Sequence, residues 1–219
     1  MQVQGSFNDA DARAPVAAWG AVLAMSLCVF VLIASEFMPV SLLTPIASEL
    51  HMTEGEAGQA ISVSGIFAVV TSVFIASTVR RIDRKVLLLA LTGLMLASGM
   101  IVALAANYAV FMIGRALLGI AIGGFWSMST ATVMRLVPEK SVPKALAILN
   151  GGNAPAATIA APLGSFLGAL IGWRGAFFIV VPLAAVALCW QLLSLPAMRR
   201  ERASPAHSHR AHRANGSQP

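Results

Sequence analysis

Residues 111–138 read FMIGRALLGIAIGGFWSMSTATVMRLVP. The stretch is apolar, long enough for a membrane-spanning helix, and holds one arginine, Arg115, well inside it. Gly119 and Gly123 follow at intervals of four, so the three residues share nearly one helical face. A guanidinium facing lipid costs at least ~2.5–3.5 kcal/mol on insertion scales, so Arg115 is expected to point into a bundle, towards water or a carboxylate. The glycines beside it let a neighbouring helix approach closely. A buried charge next to a tight helix contact predicts a polar pathway through a membrane protein.

Working outward, the same apolar character recurs along the chain. Of 219 residues 58% are hydrophobic and 11% charged, which places the chain outside ordinary soluble usage. The apolar residues come in six blocks, near 19–40, 57–79, 86–106, 109–134, 145–172 and 176–195. Each reaches the ~20 residues that a helix needs to cross a bilayer, whereas barrel strands would be half as long and alternating. The reading is an all-α membrane protein with a six-helix transmembrane domain over 19–195. Residues 1–18 form a short polar lead without the basic start or cleavage site of a secretory signal. The segment 196–219, rich in Pro, Ser, Gly, His and Arg, is expected to be a disordered basic tail. Its His207, His209 and His212 are better read as part of a solvated basic tail near anionic headgroups than as a metal site. Cys28 and Cys189 both fall in apolar blocks, where a disulfide is not expected.

The net charge of +6 is a topology signal rather than a nucleic-acid footprint, because the basic residues keep to particular loops. Arg80, Arg81, Arg84 and Lys85 follow the second block, Arg135, Lys140 and Lys144 the fourth, and five arginines lie in the tail. The alternate loops carry none except Arg174. The positive-inside rule therefore predicts two cytoplasmic termini.

Two residues stand out chemically. Glu36 is the acid inside a block and Arg115 the base deep in one. Burial favours a neutral carboxyl and a nearby cation an ionised one, so an intramembrane carboxylate near an arginine takes up or releases a proton as its surroundings change. The competing reading is a static pair that orders helix packing, or an acid in the headgroup zone. Gly164, Gly168 and Gly172 recur at four-residue spacing after Pro162, which predicts close packing and a hinge rather than ligands. Trp126, with Ser127, Ser129 and Thr130, is a candidate for a polar cavity wall or for ordinary packing. In the turn Arg80–Lys85, Arg81, Asp83 and Arg84 either set topology alone or form a conformational latch. Catalytic signatures are missing: the chain holds no metal-ligand spacing, Gly-x-Ser-x-Gly elbow or phosphate loop, so an enzyme is not expected.

Arg115-x3-Gly119-x3-Gly123-Gly124 resembles motif B of the major facilitator superfamily. Ala161-Pro162-Leu163-Gly164 with its later glycines resembles motif C, and VRRIDRKVLLL over 79–89 resembles motif A. More narrowly, SEFMPVSLLTPIA (35–47), GRALLGIAIGGFWSMS (114–129), MRLVPEKSVPKAL (134–146) and APLGSFLGALIGWR (161–174) look like the drug:proton antiporter branch, in particular the purine ribonucleoside efflux pumps. The similarity covers about residues 17–196.

The resemblance implies a fold of two six-helix halves, each made of two inverted three-helix repeats and working by alternating access; this chain matches the N-terminal half. It also implies efflux of a small-molecule substrate from a bacterium across its inner membrane, driven by a proton gradient with no cofactor. By matching positions, Glu36 and Arg115 belong to proton coupling, and Pro162 and Gly164 to motif C. Two departures are visible. With Arg84-Lys85 aligned to the motif A basic pair, Arg80 stands where the family has an aspartate and Asp83 where it has a glycine; the other register, through Asp83-Arg84, loses the downstream glycine and basic pair. Ala161 replaces the glycine before the motif C proline. The chain stops after six blocks, which implies a truncated product, a second six-helix half, or self-dimerisation in the lipid bilayer. A six-helix protein that does not transport, but assembles with full-length relatives, is the alternative from another class.

Overall fold

The computed structural model of the chain describes residues 18–78 and 83–196, side chains of 76–78 excepted. The polar lead up to residue 17, Arg81 of the expected latch and the tail from residue 197 lie outside the described residues. Within them the elements are α1 (Trp19–Phe37), a 3-10 turn (Met38–Ser41), α2 (Leu43–Glu49), α3 (Glu54–Thr78), α4 (Arg84–Ala103), α5 (Tyr108–Leu136), a second 3-10 turn (Glu139–Ser141), α6 (Val142–Gly151) and α7 (Asn153–Ser194).

Helix starts follow local chemistry. Asn107 caps α5, its side-chain oxygen accepting from the Val110 amide at 3.0 Å. Asp83 caps α4 in the same way, accepting from the Lys85 amide at 2.8 Å. Among the described residues, Asp83 thus serves the start of its own helix.

Five apolar stretches among the described residues are long enough to cross a bilayer, and the last, Glu139–Ser194, runs for 56 residues. Straight, it would measure about 84 Å, nearly three times a hydrocarbon core of ~30 Å. It does not run straight. At Gly172 φ is +75°, in the left-handed region that glycine enters without a Cβ penalty, and α7 reverses there. Contacts with α1 show the reversal. Gly152 lies against Ser26 and Phe30, Gly164 against Met38 and Ser41, and Gly168 against Leu42, while the far end of α7 returns Ser194 to Gly20. The stretch thus makes two crossings, for six in all. The fifth is assembled from α6 and the first arm of α7, divided at Gly152, and the sixth starts at Trp173.

The bundle is built on two parallel helix pairs. The first arm of α7 follows α1 in constant register. In the same manner α5 follows α3: a Cβ added at Gly119 would fall on the Ser64 carbonyl, and one added at Gly123 on the Ala68 carbonyl. Exchanging crossings one to three with four to six maps the first-with-fifth contact onto the fourth-with-second contact. That is the signature of two inverted three-helix repeats, the N-terminal half of a major facilitator fold. The outward side chains of α3, such as Ile66, Val69, Val73 and Phe74, are apolar and exposed, as expected where the surrounding medium is hydrocarbon.

Candidate functional site

The site forms where α1 ends. Pro39 has no amide hydrogen, so the carbonyl of Ser35 lacks its usual helical donor. Arg115 takes that place: Nη1 donates to the Ser35 carbonyl at 2.9 Å. Nη2 donates to the Glu36 carbonyl at 3.3 Å, the Glu36 carboxylate at 3.1 Å and Ser64 Oγ at 3.2 Å, and Nε to the Ala60 carbonyl at 3.3 Å. Ser64 Oγ in turn donates to the other carboxylate oxygen of Glu36 at 2.8 Å. The Arg115 side chain is wholly buried, while that of Glu36 keeps 16% of its surface exposed. The pair therefore joins an anchored cation to an acid with an open edge. Arg115 stands roughly 10 Å along α5 from Tyr108 at 1.5 Å per residue, inside the hydrocarbon depth but nearer the face where α1 ends.

Arg115 has four acceptors besides the Glu36 carboxylate. Four of the hydrogen bonds of the guanidinium therefore do not depend on the Glu36 carboxylate. A cavity of about 10 Å³ adjoins Arg115, lined also by Ser35 and Ser98 among apolar side chains such as Leu118 and Phe177. It has room for about one water and is far below the ~300 Å³ of a small-molecule site.

The other predicted residues distribute as follows. Gly119 and Gly123 form the α3 contact, and Gly164 and Gly168 the contact with the turn after α1. Pro162 lies inside α7. Ser129 is fully buried, its hydroxyl on the Trp126 carbonyl at 3.4 Å, so it faces the packed interior, whereas Ser127 and Thr130 face outward. Trp126 is half-buried against the core. Arg84 sits half-buried in the first turn of α4, away from any described ion pair.

Two groups escaped the sequence reading. Ser64 gave no signal, because a serine in a membrane helix marks nothing until the α3–α5 register is known. Glu49 accepts from Trp173 Nε1 at 2.5 Å and from Arg174 Nε at 2.7 Å, while Arg174 Nη1 reaches the carbonyls of Ala103 and Ala105 past the end of α4. Hydrogen bonding to Arg174 holds the Glu49 carboxyl below the usual carboxylate range. This clasp fastens α2 and the end of α4 to the start of the sixth crossing. The lone basic residue of its loop was its visible sign.

Six crossings in two inverted triplets around an intramembrane acid–arginine pair define a multi-pass membrane bundle of the secondary-transporter type. The chain belongs to the Major Facilitator Superfamily, whose family model matches residues 25–216. It is 63% identical over 187 residues to Transcription regulatory protein OpdE of Pseudomonas aeruginosa, covering 85% of this chain and 46% of that protein. It is 44% identical over 189 residues to Purine ribonucleoside efflux pump NepI of Escherichia coli K12, covering 86% and 47%. A crystal structure of a bacterial homolog to the human lysosomal transporter Spinster, in an inward-facing and occupied conformation, shares the fold with a TM-score of 0.70 at 18% identity, over 84% of this chain and 46% of that one. The chain spans about half the length of the curated relatives it matches.

Proposed function

We propose that this chain is the proton-handling six-helix half of an efflux antiporter for small polar molecules of the purine ribonucleoside class, in a bacterial inner membrane. The observation that carries the reading is the Glu36–Arg115 pair: an acid with one open edge, held by a cation whose remaining hydrogen bonds do not depend on it. Glu36 takes up and releases the coupled proton, and Arg115 sets its electrostatic environment. The basic loops support cytoplasmic termini, and with that orientation Glu36 lies towards the opposite, proton-rich face. The substrate class is taken from the Escherichia coli relative, a purine ribonucleoside efflux pump. The cavity beside Arg115 is too small for a nucleoside, and the substrate path is one that a second six-helix half or a second copy would complete.

The test is efflux of labelled inosine from proteoliposomes under an imposed pH gradient, with this chain alone and with the C-terminal half of a relative supplied alongside. Gradient-dependent flux that Glu36→Gln removes supports the reading. Correct insertion without flux in either arrangement overturns it and favours a second reading, suggested by the regulatory name of the Pseudomonas aeruginosa relative. In that reading the bundle acts by assembling with a membrane partner.

A further inference from the structure

Ser64 belongs to α3, whereas Glu36 and Arg115 belong to α1 and α5, and its hydroxyl is the group that touches both. Its backbone is fixed by the helix crossing, since Gly119 of α5 approaches the Ser64 carbonyl closely enough that a Cβ would strike it. The hydroxyl carries one hydrogen and has three acceptors in reach: the Glu36 carboxylate at 2.8 Å, the Ile61 carbonyl at 2.9 Å and the Ala60 carbonyl at 3.2 Å. One donor with alternative acceptors is a rotor.

We propose that Ser64 is a positioning residue for proton exchange at Glu36, a role that rests on the proton-coupling reading above. With Glu36 ionised, the Ser64 hydrogen points to the carboxylate and Oγ accepts from Arg115 Nη2. When a hydronium ion at the open edge gives its proton to the carboxylate and leaves as water, the new carboxyl O–H donates to Ser64 Oγ. The Ser64 hydrogen then turns to the Ile61 carbonyl. Oγ has two lone pairs and so accepts from the carboxyl and from Arg115 together. No bond to carbon changes, and both protonation states keep their hydrogen bonds, so neither leaves a buried orphan. Arg115 is the charged group facing Glu36 from α5, and the Ser64 hydroxyl is the group facing it from α3.

Infrared difference spectra of the reconstituted full chain between acid and alkaline pH test this. The neutral Glu36 carbonyl stretch is identified by its loss in Glu36→Gln. Ser64→Ala is expected to shift that band upward, because the carboxyl O–H loses its acceptor, and Ser64→Thr, which keeps a hydroxyl, to restore it. A band that stays in place in Ser64→Ala overturns the role of Ser64 and leaves the proton reading standing. A spectrum with no Glu36 band that follows pH overturns both.

Discussion

The acceptors of Arg115 make an asymmetric prediction about the two members of the pair. In Glu36→Gln the guanidinium retains the carbonyls of Ser35, Glu36 and Ala60 and the Ser64 hydroxyl, and the new amide oxygen replaces one carboxylate contact. The amide oxygen still accepts from a charged donor, so that hydrogen bond is kept and what is lost is the ion-pair attraction to a partly exposed acid, roughly 1–2 kcal/mol. In Arg115→Met the Ser35 carbonyl, which Pro39 deprives of a helical donor, has no partner, and the acid is left without its cation. Breaking a buried pair from that side costs about 3–5 kcal/mol. For a chain of this size 1 kcal/mol moves the unfolding midpoint by ~2–4 °C, so the expected losses are about 2–8 °C and about 6–20 °C respectively. Thermal unfolding of the purified chain in detergent, followed by tryptophan fluorescence, reads both. The double variant should recover part of the Arg115→Met loss, since it removes the stranded acid. Equal losses for the two single variants would refute the claim that Arg115 is anchored independently of the Glu36 charge.

Further outcomes follow from the helix contacts. Gly123→Ala drives a Cβ into the Ala68 carbonyl and should destabilise by about 1–3 kcal/mol, whereas Gly65→Ala, which meets open space, should be neutral or gain up to ~1 kcal/mol; thermal unfolding compares them. Gly172→Ala places a side chain at φ +75° and ψ 163°, a region essentially only glycine occupies, and should cost about 1–3 kcal/mol in the same measurement. The Glu49 carboxyl is lowered by Arg174, so the clasp contributes above the ordinary carboxylate range and its contribution is lost as pH falls through the lowered value. Arg174→Gln should thus destabilise at neutral pH, the ion-pair part being no more than ~1 kcal/mol because the pair is partly solvent-exposed, with the difference from wild type shrinking in acid to what the Ala103 and Ala105 carbonyl contacts contribute. A difference that grows on acidification would contradict this.

What was legible in the chain was whatever the membrane makes costly. A charge inside an apolar block has few places to go, so Arg115 and Glu36 stood out, and the four-residue spacing of Gly119 and Gly123 predicted a close face without naming its partner. Block lengths placed the crossings, but not the division of the fifth at Gly152, where helix-like backbone on both sides leaves no compositional mark. Ser129 was grouped with Ser127 and Thr130 by proximity along the chain. At 3.6 residues per turn they separate onto different faces, and which face is covered depends on the neighbouring helices. Ser64 and the partner of Arg174 depend on contacts between segments far apart in sequence; the lone arginine of its loop marked one end of the clasp, but no local pattern names Glu49 or Ser64.

The proposed role of Glu36 is to exchange the coupled proton. The most direct measurement follows lumenal pH with a trapped dye while an inosine gradient is imposed across proteoliposomes holding the chain together with the C-terminal half of a relative. Proton movement opposite to inosine is expected, abolished in Glu36→Gln while labelled inosine still exchanges across the membrane. Undiminished proton movement in Glu36→Gln would contradict it.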